Sequence, residues 1–390
     1  MSLTSQLDGG ALGAWFAGRF PGTERLAASI TTAANRVDPV PPPPAEHHHT
    51  IDRAFTTRAA LLIDGAPPYS ALQGLVTAGL ASQDWAHRTA ATFPSHRGLP
   101  PHHATRAQDF RPTPTGWLDL KTPPTTSLIT RHEPVLTEFF GRLVRYLDGH
   151  APPGTLGTPN VEAGFARMCT LLASWATPNT NDALTTLQAS QNYTVDDLWD
   201  LPDEPTVLAL TALAERLRTH DTDRPLETWR AWGHDYAEPT GPATLKRADT
   251  GQAGTGLPVG VWGASTPTLV PHWATADLLI GTHLIDVRTT DPTTNPTEIA
   301  HWLWRLAAYT WLDTTTRYRA RTVGLYLAAH GLHITWDATT FTQALLASPK
   351  GTEAARKDFL AQARKIIKTE GATPPPTPGL KVPIPWRPRP

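Results

Sequence analysis

Cysteine is nearly absent from this 390-residue chain, which has one, Cys169. A lone thiol cannot build a disulfide framework or a cysteine-based zinc site, so the fold must rest on its own core in a reducing setting. A leading apolar run is missing too, and nothing reads as a signal peptide or membrane span. These two absences together imply a cytoplasmic protein without membrane contact. Net charge is also lacking: 34 − 35 gives −1, which argues against a protein that coats nucleic acid by charge alone. That sum hides an asymmetry, since residues 350–390 carry nine Lys or Arg against three acids, or +6, and the remainder is −7. Repeats at solenoid periods are absent.

Proline is plentiful, at 39 residues, and punctuates a length that gives a soft prior of two to three domains. "VDPVPPPPAEHHHT" is expected to be an extended spacer behind an N-terminal arm. His47, His48 and His49 are adjacent in an extended segment and cannot converge on one metal ion without outside ligands, so they are read as solvated linker. The pair His102 and His103 is read the same way. From Ile51 to about Leu120 the only assignable element is a helix near Ala71 to His87.

Helical periodicity then dominates to His220. "PVLTEFFGRLVRYLDG" puts Leu136, Phe139, Phe140, Leu143 and Leu147 on one stripe. "PNVEAGFARMCTLLASWATP" reads as a second helix, with Asn160 as N-cap and Val161, Phe165, Met168, Cys169 and Leu172 facing inward. "EPTVLALTALAERLRTH" is a third, ending in basic residues that suit a helix C-terminus.

"ATADLLIGTHLIDVRTT" behaves differently. Leu278 to Ile280 and Leu284 to Val287 are aliphatic runs separated by Gly281, Thr282 and His283, a hairpin signal. Gly281 followed by Thr282 suits a two-residue type II′ turn that pairs Ile280 with His283 and sets Asp277 opposite Asp286. Period-2 alternation places Asp286 and Arg288 on that same face. An odd-length loop would split the two acids between faces. Carboxylates so opposed repel each other unless a cation lies between them, and hard ions such as Mg²⁺ take oxygen ligands of this kind. A second reading of the same residues is that Asp277 caps the first strand and Asp286 pairs with Arg288 or a neighbouring base.

"NPTEIAHWLWRLAAYTWLD" follows as a helix, with Asn295 as N-cap, Pro296 at the first helical position, Glu298 placed for a capping box, and Ile299, Trp302, Leu303 and Leu306 buried. "RTVGLYLAAHGLHITWD" reads as a strand from Thr322 to Ala328, a turn at His330 and Gly331, and a returning strand with Ile334 and Trp336. Tryptophan is frequent, at 14 residues, and most of it is expected in the core.

The order hairpin, helix, strand, with Asp277 on one strand and Asp286-x-Arg288 on the next, resembles the core of the PD-(D/E)XK nuclease superfamily. The resemblance runs from about Ala274 to Trp336. It implies an α/β protein with a restriction-endonuclease-like mixed sheet flanked by helices, behind a large helical region. It also implies metal-dependent hydrolysis of phosphodiesters in nucleic acid. Asp277, Asp286 and the carbonyl of Val287 would hold Mg²⁺ or Mn²⁺, and Arg288 stands where the family has the Lys that orients water. Glu162, in "VEAGFARMC", would be the acid of the leading helix. Arg305 and Tyr309, in "RLAAY", occupy the positions where the family often has Gln and Tyr, and would face nucleic acid.

Two departures matter, because Arg replaces Lys at 288 and the frequent Gln at 305. A guanidinium is always protonated and cannot take a proton from water, though it can stabilise phosphate charge. The alternative is therefore a catalytically inactive nuclease relative that binds nucleic acid or a protein partner. The expected layout is an arm and linker over 1–50, a helical region over 51–255, the nuclease-like core over 256–345, and a basic helix with a Pro-rich disordered tail over 346–390. In that last helix Ala354, Phe359, Ala363, Ile366 and Ile367 should dock on the body.

Overall fold

The computed structural model describes residues 2–41, 47–94, 130–176, 193–219, 225–234, 263–291, 296–314, 318, 320–348 and 350–376. His102, His103, Asn295 and the tail beyond 376 lie outside them. The helices are α1 (Leu3–Asp8), α2 (Ala11–Arg19), α3 (Thr23–Ala34), α4 (His48–Ile63), α5 (Tyr69–Thr77), α6 (Gln83–Ala90), α7 (Glu133–His150), α8 (Pro159–Trp175), α9 (Val195–Trp199), α10 (Glu204–Thr219), α11 (Pro225–His234), α12 (Pro296–Leu312), α13 (Ala338–Leu345) and α14 (Thr352–Thr369). The strands are β1 (Gly263–Ser265), β2 (Thr268–Val270), β3 (Ala274–Thr275), β4 (Leu278–Ile280), β5 (His283–Arg288), β6 (Thr322–Leu327) and β7 (Leu332–Asp337).

The chain is α/β, with helices on both faces of one mixed sheet. Strand order is β1-β4-β5-β6-β7, antiparallel except for the central pair, where β5 and β6 run parallel and α12 makes the crossing. β4, β5 and β6 are aliphatic and almost wholly buried, as strands covered on both faces must be. Leu278, Ile280, Ile285, Val287 and Tyr326 belong to a core shared with α4, α7, α8 and α10. Leu279, Leu284, Val323, Leu325 and Leu327 belong to a second core with α12, α13, α14 and the three N-terminal helices. Trp302, Trp304 and Trp311 of α12 are buried there, in line with a packing role. Among the described residues no helix is long and apolar enough to cross a membrane.

The described residues among the first 50 depart from the expected arm. Leu3, Leu7, Leu12, Phe16, Phe20, Ile30 and Ala34 are buried in the second core. Ser2 and Ser5 form a capping box at α1, and Leu3 N–H donates to the Trp273 carbonyl at 2.8 Å. Phe16 stacks on Phe20, Trp304 and Trp311 at centroid distances of 5.0, 5.9 and 6.5 Å. An aromatic cluster of this kind is worth more than its area alone. Phe16→Ala is therefore expected to cost about 3–5 kcal/mol in denaturant unfolding, whereas a detached arm would leave the midpoint unchanged.

Four smaller expectations are corrected. The helix expected over Ala71 to His87 is two, because Gly79 at φ +71° ends α5 and the Ser82 hydroxyl accepts from Trp85 N–H to start α6. α8 takes Thr158 as N-cap and Pro159 as its first residue, so Asn160 is inside the helix. α14 docks as expected, but through Ala355, Phe359, Leu360, Ala363 and Ile367, with Ala354 exposed. The histidines at 47–49 are not spacer: His47 stands at the N-cap position of α4, without a side-chain capping bond, and the next two are its first residues.

Candidate functional site

The hairpin has the register expected of it. Ile280 pairs with His283, Leu279 with Leu284 and Leu278 with Ile285, so Asp277 stands opposite Asp286 one step further on. Gly281, at φ +55°, supplies the left-handed residue that a two-residue type II′ turn needs at its first position. Even loop length is what brings both acids and Arg288 to the face covered by α12.

Between the acids lies a guanidinium. Arg288 Nε donates to Asp286 Oδ2 at 3.0 Å, and Nη2 lies 2.8 Å from both Asp286 oxygens. The same Nη2 lies 3.5 Å from Asp277 Oδ2, so one nitrogen links the pair. Asp277 Oδ2 also accepts the Val287 N–H at 3.0 Å. From α12, Arg305 Nη2 donates to Asp286 Oδ2 at 2.7 Å. Tyr309 hydroxyl turns away from the acids to donate to the Thr275 carbonyl at 2.8 Å. The Trp302 ring lies 5.7 Å from the Arg288 guanidinium, a cation–π contact that closes the site from the helix side.

A third acid enters from α4, which sequence reasoning left unread. Asp52 Oδ1 accepts from Thr289 N–H at 2.9 Å and from its hydroxyl at 2.6 Å, and Oδ2 lies 3.3 Å from Arg288 Nη1. Arg53 follows it at the rim of a cleft that Asp277 also lines. The helical spacing of Ile51, Phe55, Ala59 and Leu62 was the available signal for α4, and it would have put Asp52 and Arg53 in the first turns.

Burial dominates the electrostatics. Asp286 is 0% exposed, and burial first, then the Asp277 carboxylate, push its pKa well up against the pull of Arg288. Burial likewise raises Asp52, opposed by Arg288 and Thr289. Burial works against the Arg288 cation, but Asp286, Asp277 and Asp52 outweigh it and hold its pKa above the ordinary value. Burial lowers His49, with Arg53 acting in the same direction. Tyr309 is pushed well up by burial and by Asp286 and Asp277.

Mg²⁺ does not fit this arrangement as it stands. Asp286 offers its oxygens to two guanidinium groups, and Asp277 has its inner oxygen on Val287 N–H and Arg288. A divalent ion would need those lone pairs, and Arg288 would have to leave a buried position for it to enter. Among the described residues no group of three or more His, Cys, Asp or Glu is placed to hold a metal ion.

Glu162 is not brought into this network. Its oxygens accept from Arg58 Nη2 and Nε, both at 2.8 Å, and Oε1 also accepts the Gly157 N–H at 2.7 Å. The pair is buried in the interface of α4 with α8, where the Arg58 guanidinium lies 4.0 Å from the Phe165 ring. The leading-helix acid expected from the resemblance is here a bidentate structural partner. The remaining candidates, Asp277, Asp286, Val287, Arg288 and Arg305, converge at the end of β5, with Tyr309 beside them.

No family model matches the chain, and neither a curated protein nor a solved structure matches it.

Proposed function

We propose that the chain is a PD-(D/E)XK-like protein that binds nucleic acid without cutting it, its metal position having passed to Arg288. One observation carries the reading: fully buried Asp286 is held by Arg288 at 2.8 Å and by Arg305 at 2.7 Å. The cation that opposed carboxylates require is covalently part of the fold. It cannot activate water, because a guanidinium does not give up its proton near neutral pH. The antiparallel hairpin, the crossing helix and the parallel strand support a restriction-endonuclease-like core.

Support for the binding half comes from α14. Lys357, Lys365 and Lys368 are exposed on its outer side, and their ammonium groups have no hydrogen bond or ion pair among the described residues. Such a stripe suits phosphate contacts that are indifferent to sequence and weaken with salt. Fluorescence anisotropy with labelled DNA and RNA is expected to give affinity that falls with salt at a log–log slope of about −3 if these lysines supply the contacts. Changing all three to Gln should flatten it. Plasmid, linear and single-stranded substrates should survive Mg²⁺ or Mn²⁺ intact. Cleavage that disappears in Asp286→Ala would overturn the proposal.

Metal-dependent phosphodiester hydrolysis has one observation in its favour, that Asp277 is 26% exposed and opens onto the cleft. On that reading Arg288→Lys, which restores the residue the family carries, should retain or increase cleavage.

A further inference from the structure

Arg53 is set apart from the other arginines around the site. Arg58, Arg288 and Arg305 each donate to a buried carboxylate, whereas the Arg53 guanidinium makes no hydrogen bond and no ion pair among the described residues, its carbonyl alone accepting from the Thr57 hydroxyl. It is only partly exposed, and burial depresses its pKa more than the charges of Asp277 and Asp52 restore it. No described side chain accepts a hydrogen bond from this half-buried guanidinium, and the carboxylates of Asp277 and Asp52 act on it through charge alone.

The side chain lines a cleft of about 150 Å³ between α4, α5, the end of α8 and the ends of β1 and β3. That volume is about five waters, and well under the roughly 300 Å³ at which sites for drug-sized ligands begin. A nucleobase with its sugar would not enter, but a phosphate-sized anion would. Ser70 and Thr266 add hydroxyls that hydrogen-bond each other, which leaves one O–H free to donate outward. Thr266 is held at φ +56°, a conformation that branched side chains rarely adopt, in the turn whose N–H donates to the Asp277 carbonyl. Asp277 is the one acid on the wall among the described residues, and its inner oxygen is already matched by Val287 N–H and Arg288. The first turn of α5 also borders the cleft and carries no side-chain cap.

We infer that this cleft is an anion subsite that takes the terminal phosphate of a polynucleotide strand, with Arg53 as its principal ligand and the Ser70–Thr266 hydroxyl pair as the second. A terminal group suits it because the cleft has no room for a strand to pass through. The inference rests on the nucleic-acid reading above and gives that reading a substrate feature, a phosphorylated end.

Three probes separate the two: an oligonucleotide with a terminal phosphate, the same oligonucleotide with hydroxyl ends, and inorganic phosphate. The full chain is expected to bind the phosphorylated strand about tenfold more tightly, roughly the worth of one charge-assisted pair. Arg53→Ala should abolish that preference, and Arg53→Lys should keep part of it, since Lys retains the charge and loses the fork. Arg53→Gln replaces the alanine variant if the latter does not fold, as judged by its thermal midpoint. Equal affinity for both strands in the wild-type chain, with no binding of inorganic phosphate, overturns the cleft assignment and leaves the nucleic-acid reading standing. A preference that survives in folded Arg53→Ala overturns it too. Arg53-dependent binding of inorganic phosphate without binding of either strand supports the subsite and sinks the nucleic-acid reading instead.

Discussion

Arg288→Ala is expected to destabilise the fold by about 3–5 kcal/mol at neutral pH, the cost of stranding a buried charge. Asp286 would lose its bidentate partner, and Asp277 and Asp52 would each lose a contact with the same guanidinium. The deficit should shrink in acid. Burial already raises Asp286 with Arg288 present, and without that cation the acid rises further. An acid whose folded pKa exceeds its unfolded value binds more protons in the fold, so stability is regained as pH falls from neutral through that raised value. Urea unfolding of wild type and variant at several pH values reads this directly. The same variant empties the space between the carboxylates, so Mn²⁺ should now stabilise it, by about 2.7 kcal/mol at a hundredfold excess over Kd. Wild type should show no such response. Metal-induced stabilisation in the wild type as well would mean that the ion and Arg288 share the site, contrary to the proposal.

The hairpin was legible in the sequence because its register depends on local chemistry. Gly281 and Thr282 fix the turn, and period-2 alternation then assigns Asp277, Asp286 and Arg288 to one face without reference to the rest of the chain. α12 and the docking of α14 were legible for a similar reason, since each carries an apolar stripe of helical period. What could not be read was the origin of the other partners. Asp52 reaches Thr289 and Arg288 across more than 200 positions of sequence, and nothing in a Pro- and His-rich stretch says which strand end it will meet. The histidines before it looked like spacer because they follow a proline run, yet His48 opens α4. α1 to α3 were hidden by their length. Helices of 6, 9 and 12 residues carry too few turns for a firm period, and their burial comes from Trp273, Trp304, Trp311 and Phe359, which lie far along the chain.

Glu162 gives the sharpest separation between what the motif implies and what the fold does with it. If it served the Asp277–Asp286 site, Glu162→Ala would leave stability nearly intact and alter ligand or metal response. The geometry leads to the opposite expectation. Arg58 is 4% exposed, and besides its bonds to Glu162 its guanidinium lies on the face of Phe165. Removing the carboxylate leaves that cation buried without a counter-ion and leaves Gly157 N–H without its acceptor, a loss of about 3–5 kcal/mol. Glu162→Gln should cost less, because an amide oxygen in the Oε1 position can still accept from Arg58 Nη2 and from Gly157 N–H. Arg58→Met alone should also destabilise, by stranding the acid. The pair together should lose less than the sum of the single changes, because replacing both members of a buried ion pair avoids the unpaired charge that each single change creates. Denaturant midpoints for the four proteins give the coupling, and anisotropy with labelled DNA gives the second axis. A coupling near zero, or DNA affinity that falls in Glu162→Gln while stability holds, would return Glu162 to the functional site. Strong coupling with unchanged affinity would mark it as the clamp that fixes α4 against α8. Through α4 that clamp also sets the position of Asp52 and Arg53, one and a half turns along the same helix.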